Sequence, residues 1–306
     1  MTNVVRRFQV SALCVGLAAI TSSASADSGR AGSYRNLHRS SIETISSPET
    51  IRSLFRSDGS PAVGSTKIWK VLEHGEKVEC LSCIPLVAGL LYDTQPKTRE
   101  IAAWWLRRRI FGVFGPGQVY SQVLAALADT SQTETRRARA AEAIGEFQTY
   151  SGARHLARAV REDASPVVRE ASVRALQRMN HQGPNGELAL AMGDADESVR
   201  LAAVHAATRV NVFSDVEAVV ARIGDESAMV RRAAAAALGT MRVADAVGGL
   251  IALSSPETEA DPHVRLSAVW SLAQIGDPAA RSAIEAAKSD PDRFVRDAAS
   301  RAAMRL

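Results

Sequence analysis

Aromatic residues are scarce in this sequence: four Trp, four Tyr and seven Phe among 306 residues. A chain so poor in large rings must build its core from smaller apolar groups. Cysteine is nearly absent too. One of three, Cys14, falls in an N-terminal apolar run, which leaves Cys80 and Cys83. With no second pair, and His74 the only histidine nearby, the roughly four ligands of a zinc site are not assembled. No phosphate-cradling glycine loop and no Gly-x-Ser-x-Gly elbow occurs. Phe114-Gly115-Pro116-Gly117 lacks the lysine and helix start that such a loop requires. Apolar runs are short: Val10–Ile20 falls below the roughly 20 residues of a spanning helix. Charge excess is small as well, with 37 basic against 33 acidic residues. Loss of an N-terminal signal carrying Arg6 and Arg7 would leave 35 against 33. Nucleic-acid binding calls for a clustered basic stripe, and this balance argues against one.

What the chain does have is repetition. Val230-Arg231-Arg232-Ala233-Ala234-Ala235-Ala236-Ala237-Leu238-Gly239 reads as a helix with an alanine face, able to lie close against a neighbour. Its reference arginine recurs at Arg99, Arg137, Arg169, Arg200, Arg231, Arg265 and Arg296, with gaps of 38, 32, 31, 31, 34 and 31 residues. A period of that length predicts an all-α superhelical solenoid, in which each unit buries its core against the next. Arginine-bearing first helices are expected near 134–147, 166–179, 197–209, 228–240, 262–275 and 292–304. Second helices are expected near 118–129, 151–162, 186–193, 214–223, 244–254 and 278–289. Aspartate stands six residues before the arginine at Asp163, Asp194, Asp225 and Asp290. An acid there can cap a helix start, favour its positive dipole end or pair with a neighbouring unit's arginine. Recurrence makes Arg169, Arg200, Arg231, Arg265, Arg296 and these aspartates structural rather than catalytic.

Four segments follow. Residues 1–26 carry the marks of an export signal: basic Arg6 and Arg7, the short apolar run, and Ala24-Ser25-Ala26 as a cleavage site. Retention of the signal as an anchor is the alternative. Residues 27–66, rich in Ser, Gly and Arg, are expected to be a mostly disordered leader with one short helix. In that helix Ser47 is the N-cap, Pro48 opens the first turn, and Ile51, Leu54 and Phe55 form the apolar side. Residues 67–117 form the least repetitive part, expected to cap the array. There Trp105 aligns with the buried Ala237 position, whereas Trp104 aligns with the outward Ala236 position. Residues 118–306 carry the regular repeats.

The pattern Asp-x-x-x-x-Val-Arg-x-x-Ala-x-x-Ala-Leu-Gly, best seen from Asp225 to Gly239 and again from Asp261 to Gly276, resembles the short bacterial HEAT repeats, also called PBS-lyase HEAT-like repeats. The resemblance covers about residues 95–306. It implies a protein-binding scaffold, with first helices convex and second helices on the concave, ligand-facing side. Its enzymatic branches find little support. Deoxyhypusine hydroxylases build an iron site from His-Glu pairs, and none of His38, His74, His155, His181, His205 and His263 precedes a glutamate. No bilin site is identifiable, and no cofactor is expected.

The candidate sites are therefore surfaces and one cysteine pair. Cys80-Leu81-Ser82-Cys83 admits three readings: a structural disulfide that stiffens the cap, a redox or partner-directed dithiol, or a metal or cofactor ligand pair. A redox-linked accessory role is the functional alternative to the scaffold. A protein partner could be met at Trp104 with Arg107, Arg108 and Arg109, although consecutive side chains diverge around a helix. It could also be met on the second-helix row at Arg154, His155, Arg158 and Arg161. The oligomeric state is open.

Overall fold

A computed structural model describes residues 47–110, 117–180, 185–211 and 213–305. The expected export signal and its cleavage site, most of the expected leader, residues 111–116 and His181 lie outside the described residues.

The cap comprises α1 (Pro48–Arg52), α2 (Ser65–His74), α3 (Ile84–Gly89) and α4 (Pro96–Ile110). Then come α5 (Gln118–Ala128), α6 (Glu134–Phe147), α7 (Tyr150–Glu162), α8 (Pro166–Met179), α9 (Asn185–Ala191) and α10 (Glu197–Ala207). The array continues through α11 (Val216–Val220), α12 (Ala228–Met241), α13 (Val247–Leu253), α14 (Pro262–Ile275), α15 (Arg281–Ala287) and α16 (Arg293–Ala302). Among the described residues there is no strand, only one isolated bridge between Phe55 and Pro61. The fold is an all-α solenoid of paired helices. From α4 onward the even-numbered helices carry the reference arginine, and the odd-numbered ones are the second helices.

Local chemistry fixes the boundaries. Thr133, Asp196, Ser227, Asp261 and Asp292 each accept a hydrogen bond from a backbone N–H in the first turn of the helix they precede. At the other end Gln148, Asn180, Arg242 and Gly276 adopt left-handed conformations that stop α6, α8, α12 and α14.

The core follows the alanine pattern. Ala140, Ala141, Ala203, Ala234, Ala235 and Ala268 are fully buried, flanked by Ile144, Val168, Leu238 and Leu272. Small side chains bring the even-numbered helices almost backbone to backbone. A Cβ added to Gly145 would lie 2.8 Å from the Ala175 Cα, and one added to Gly239 would lie 2.7 Å from the Ser271 Cα. Ser271 also donates to the Ala235 carbonyl at 2.7 Å, tying α14 to α12.

The leader helix belongs physically to the cap. Ser47 accepts from the Thr50 N–H as expected, and Ile51 and Leu54 are fully buried. Ile51 packs beside Gly75, whose carbonyl accepts from the buried Trp105 indole at 2.9 Å. Residues 47–66, assigned by composition to the leader, are thereby drawn into the same packed unit as 67–110.

Candidate protein-binding surfaces and the arginine ladder

Each repeat is joined to the next by one guanidinium. Arg200 uses Nε and Nη2 to bind both carboxylate oxygens of Asp225, at 2.9 and 3.0 Å. Its Nη1 donates to the Asp194 and Ala195 carbonyls of the turn that precedes α10. The same fork recurs at Arg137–Asp163, Arg169–Asp194, Arg231–Glu259 and Arg265–Asp290. The acids also brace their own turns, with Asp163, Asp194, Asp225, Glu259 and Asp290 accepting from the N–H two residues on. One side chain thus fixes the turn it lies in and the turn of the next unit.

The electrostatics agree. Burial pushes the Asp225 carboxyl upward, but the Arg200 fork and the Ser227 N–H outweigh it and hold the group below its ordinary range. Asp194 and Glu259 are lowered by the same balance. Hydrogen bonding to these acids raises Arg200, Arg169 and Arg231 above the usual arginine range.

Two ladder acids escaped the sequence reading. Glu259 occupies the position six before Arg265, so counting acids instead of aspartates alone would have found it. Glu142 could not be found that way. It projects from the middle of α6 to meet Arg99 at 2.8 Å, because Ser131 stands where the other units carry an acid. Arg296 contacts its own turn through the Asp290 and Pro291 carbonyls but reaches no carboxylate among the described residues.

The cap arginines part company. Arg107 is exposed and Arg108 pairs with Glu76 at 2.6 Å on the surface. Arg109 was expected on a partner-binding face, and the structure corrects this. It is buried, with its guanidinium 3.4 Å from the centre of the Trp105 ring. It donates to the Trp105, Glu76 and Val78 carbonyls at 2.6, 2.9 and 2.6 Å. Burial lowers its pKa to about 10, still far above neutrality, so it is a buried cation solvated by carbonyls and a π face. Trp104 remains partly open, at 37% exposure.

Cys80 and Cys83 lie at bonding distance, with sulfurs 2.04 Å apart. Both side chains are buried beneath α1, and Cys83 has no exposed surface. On the second-helix row Arg154, Arg158 and Arg161 are exposed along α7 and His155 is half-buried. Burial, then Arg154 and Arg158, depress the His155 pKa. Arg161 is turned away toward Glu187 of α9, at 2.7 Å. His155 and Arg158 border a cleft of about 280 Å³ between α5 and α7. A wider cleft, about 580 Å³, separates α3 from α5. On the opposite side, Arg99, Glu142, Glu146, Arg174 and Arg178 rim a groove of about 260 Å³ floored by Ala103, Ala143 and Ala175 of α4, α6 and α8.

Residues 216–304 match the family model for HEAT repeats. These residues carry HEAT repeats. No curated protein matches the sequence. Among solved structures, the YibA protein of Escherichia coli shares 15% identity at a TM-score of 0.52, covering 81% of this chain and 99% of its own. Kap95p, solved with RanGDP, shares 14% identity at a TM-score of 0.54, covering 89% of this chain and 41% of its own. Human deoxyhypusine hydroxylase shares 20% identity at a TM-score of 0.36, covering 87% and 96%. These likenesses concern the fold. Among the described residues the HEAT array has no group of three or more His, Cys, Asp or Glu placed to hold a metal. No described helix is long and apolar enough to cross a membrane.

Proposed function

We propose that this HEAT-repeat protein is an exported scaffold that binds a protein partner on the inner surface of its solenoid. The observation that carries the reading is the ladder: repeated forks between buried or half-buried groups stiffen a long surface before any partner arrives. A preformed surface loses little entropy on binding, which favours recognition of an extended protein segment. HEAT repeats commonly serve as interaction scaffolds, and Kap95p, which carries RanGDP in its solved structure, illustrates that use of the fold.

The inner surface is best assigned to the even-numbered helices, the reverse of what the resemblance implies. In a curved stack the inner row has the shorter spacing. Backbone contact at Gly145 and Gly239 fits an inner row, while the clefts beside α5 and α7 fit helices splayed on the outside. The N-terminal cap, with Trp104 partly open, extends the same row.

The cysteine pair supports export rather than redox exchange. A bonded pair suits an oxidising compartment, and burial of both sulfurs hinders attack by an external thiolate. Purification of the mature chain from its source compartment without reductant, with thiol mapping and analysis of co-purifying material, tests both parts. We expect an N-terminus after Ala26, a formed Cys80–Cys83 bond and a stoichiometric protein partner retained by the Cys80→Ser/Cys83→Ser variant. Free, exchanging thiols and loss of the partner in that variant would favour the redox reading instead.

A further inference from the structure

Exposed charge is distributed unevenly along the even-numbered row. In each unit of this row, the surface positions lie one, five and nine residues after the reference arginine; the ninth falls just past the ends of α10 and α16, and Ala138 alone among these positions is buried. In α4, α6 and α8 those positions include Glu100, Glu142, Glu146 and Glu170, and they answer the nearby cations: Glu142 meets Arg99, Glu146 meets Arg178, and Glu170 meets Arg174. From α10 onward the compensation stops. The same positions of α10, α12, α14 and α16 supply one acid, Asp297, which lies 3.8 Å from Arg293. The cations there are Arg209, Arg232, Arg301 and Arg305. Among the described residues, Arg209, Arg232 and Arg301 have no ion-pair partner, and all three are exposed.

These groups sit close enough to sense one another. Exposed His205, on α10, has its pKa lowered first by desolvation and then by Arg209, just past the end of its own helix, and by Arg174 and Arg232 from the two neighbouring helices α8 and α12. Between the cations lie apolar side chains. Leu201, Leu266 and Trp270 are partly buried against the core and keep one side toward solvent. Arg305, in the turn after α16, stands 5.5 Å from the centre of the Trp270 ring, so the aromatic and the cationic parts are continuous.

We infer that the strip formed by Leu201, His205, Arg209, Arg232, Leu266 and Trp270 is the docking site for an acidic segment of a partner protein that carries apolar side chains between its carboxylates. This rests on the scaffold reading and names the chemistry of its ligand. A protein segment fits better than a nucleic acid, because the cations are few and are separated by leucine and tryptophan instead of forming a continuous basic track. Trp and Arg are also the side chains that concentrate binding energy at protein interfaces.

A fluorescent peptide of alternating glutamate and leucine is the probe, titrated against the full chain by anisotropy. A lysine–leucine peptide and a single-stranded oligonucleotide serve as comparisons. Saturable binding of the acidic peptide should weaken about tenfold when Arg209→Glu and Arg232→Glu are combined, with unchanged circular dichroism. The Arg154→Glu/Arg158→Glu variant on the second-helix row should bind as the parent does. Equal binding by the double reversal, loss of binding in the second-row variant, or preference for the oligonucleotide would each overturn the assignment. Partner capture separates this from the broader reading. A natural protein partner retained by Arg209→Glu/Arg232→Glu refutes the strip but leaves the scaffold; absence of any protein partner refutes the scaffold itself.

Discussion

A single arginine does two jobs at each joint, and the consequence is measurable at Arg200. Its guanidinium and the Asp225 carboxylate are both buried, so removing either partner strands a charge in a poorly hydrated place. Arg200→Ala should cost about 3–5 kcal/mol in urea unfolding. Arg200→Lys should recover little, because an ammonium cannot form the fork and also hold two carbonyls. Arg296 is the internal control. It lacks the carboxylate, so Arg296→Ala should cost under about 1 kcal/mol. The pH dependence follows from the same pairs. Asp194, Asp225 and Glu259 have folded pKa values below their free values of 3.8, 3.8 and 4.5. Their contribution is therefore complete above those values and drains away as pH falls through the lowered ones. Stability should stay flat from neutrality to about pH 5 and fall below about pH 4. Asp225→Asn should blunt that fall. The arginines and four of the ladder acids, Asp163, Asp194, Asp225 and Asp290, were legible in the sequence because they recur. Arg109 was not, because its burial depends on the Gly75–Val78 segment folding over it, a contact made across roughly thirty residues with no repeat to signal it.

At the scale of the helix, spacing was read well wherever packing is tight. The expected bounds of α6, α8 and α14 coincide with those observed, since capping groups and alanine faces mark both ends. The later second helices are shorter than expected: α11 tightens at Ala221–Gly224, and α13 and α15 begin with tight turns at Ala244–Ala246 and Pro278–Ala280. Glycines separate the two classes experimentally. At Gly239 an added methyl would collide with the Ser271 backbone. Overpacking of about 1–3 kcal/mol should there exceed the helix-propensity gain of about 1 kcal/mol. At Gly248, exposed in α13, nothing lies within 4 Å of the added Cβ. Gly248→Ala should therefore stabilise by about 0.5–1 kcal/mol, while Gly239→Ala destabilises. Paired thermal melts check the opposite signs.

For the whole molecule, the repeat period announced a solenoid, and the HEAT match over 216–304 agrees with it. Which row lies inside was not legible. That depends on how closely successive helices approach, a property of Gly145 against Ala175 and Gly239 against Ser271 that no single motif displays. Stiffness, by contrast, can be argued from the ladder, because the joints from Arg137 to Arg265 are held by charged forks as well as by alanine packing. In such an array a damaged joint should loosen its two neighbours before distant units.

Hydroxyl-radical footprinting of the captured complex against the free chain shows whether a protein partner lies along the even-numbered helices. Trp270, His205 and Leu201 report on that row. Tyr150 and Leu190, at 78% and 52% exposure, report on the second-helix row. We predict that oxidation of Trp270, His205 and Leu201 falls on complex formation while Tyr150 and Leu190 are unchanged. Protection of Tyr150 and Leu190, with Trp270 and His205 still reactive, would contradict the account.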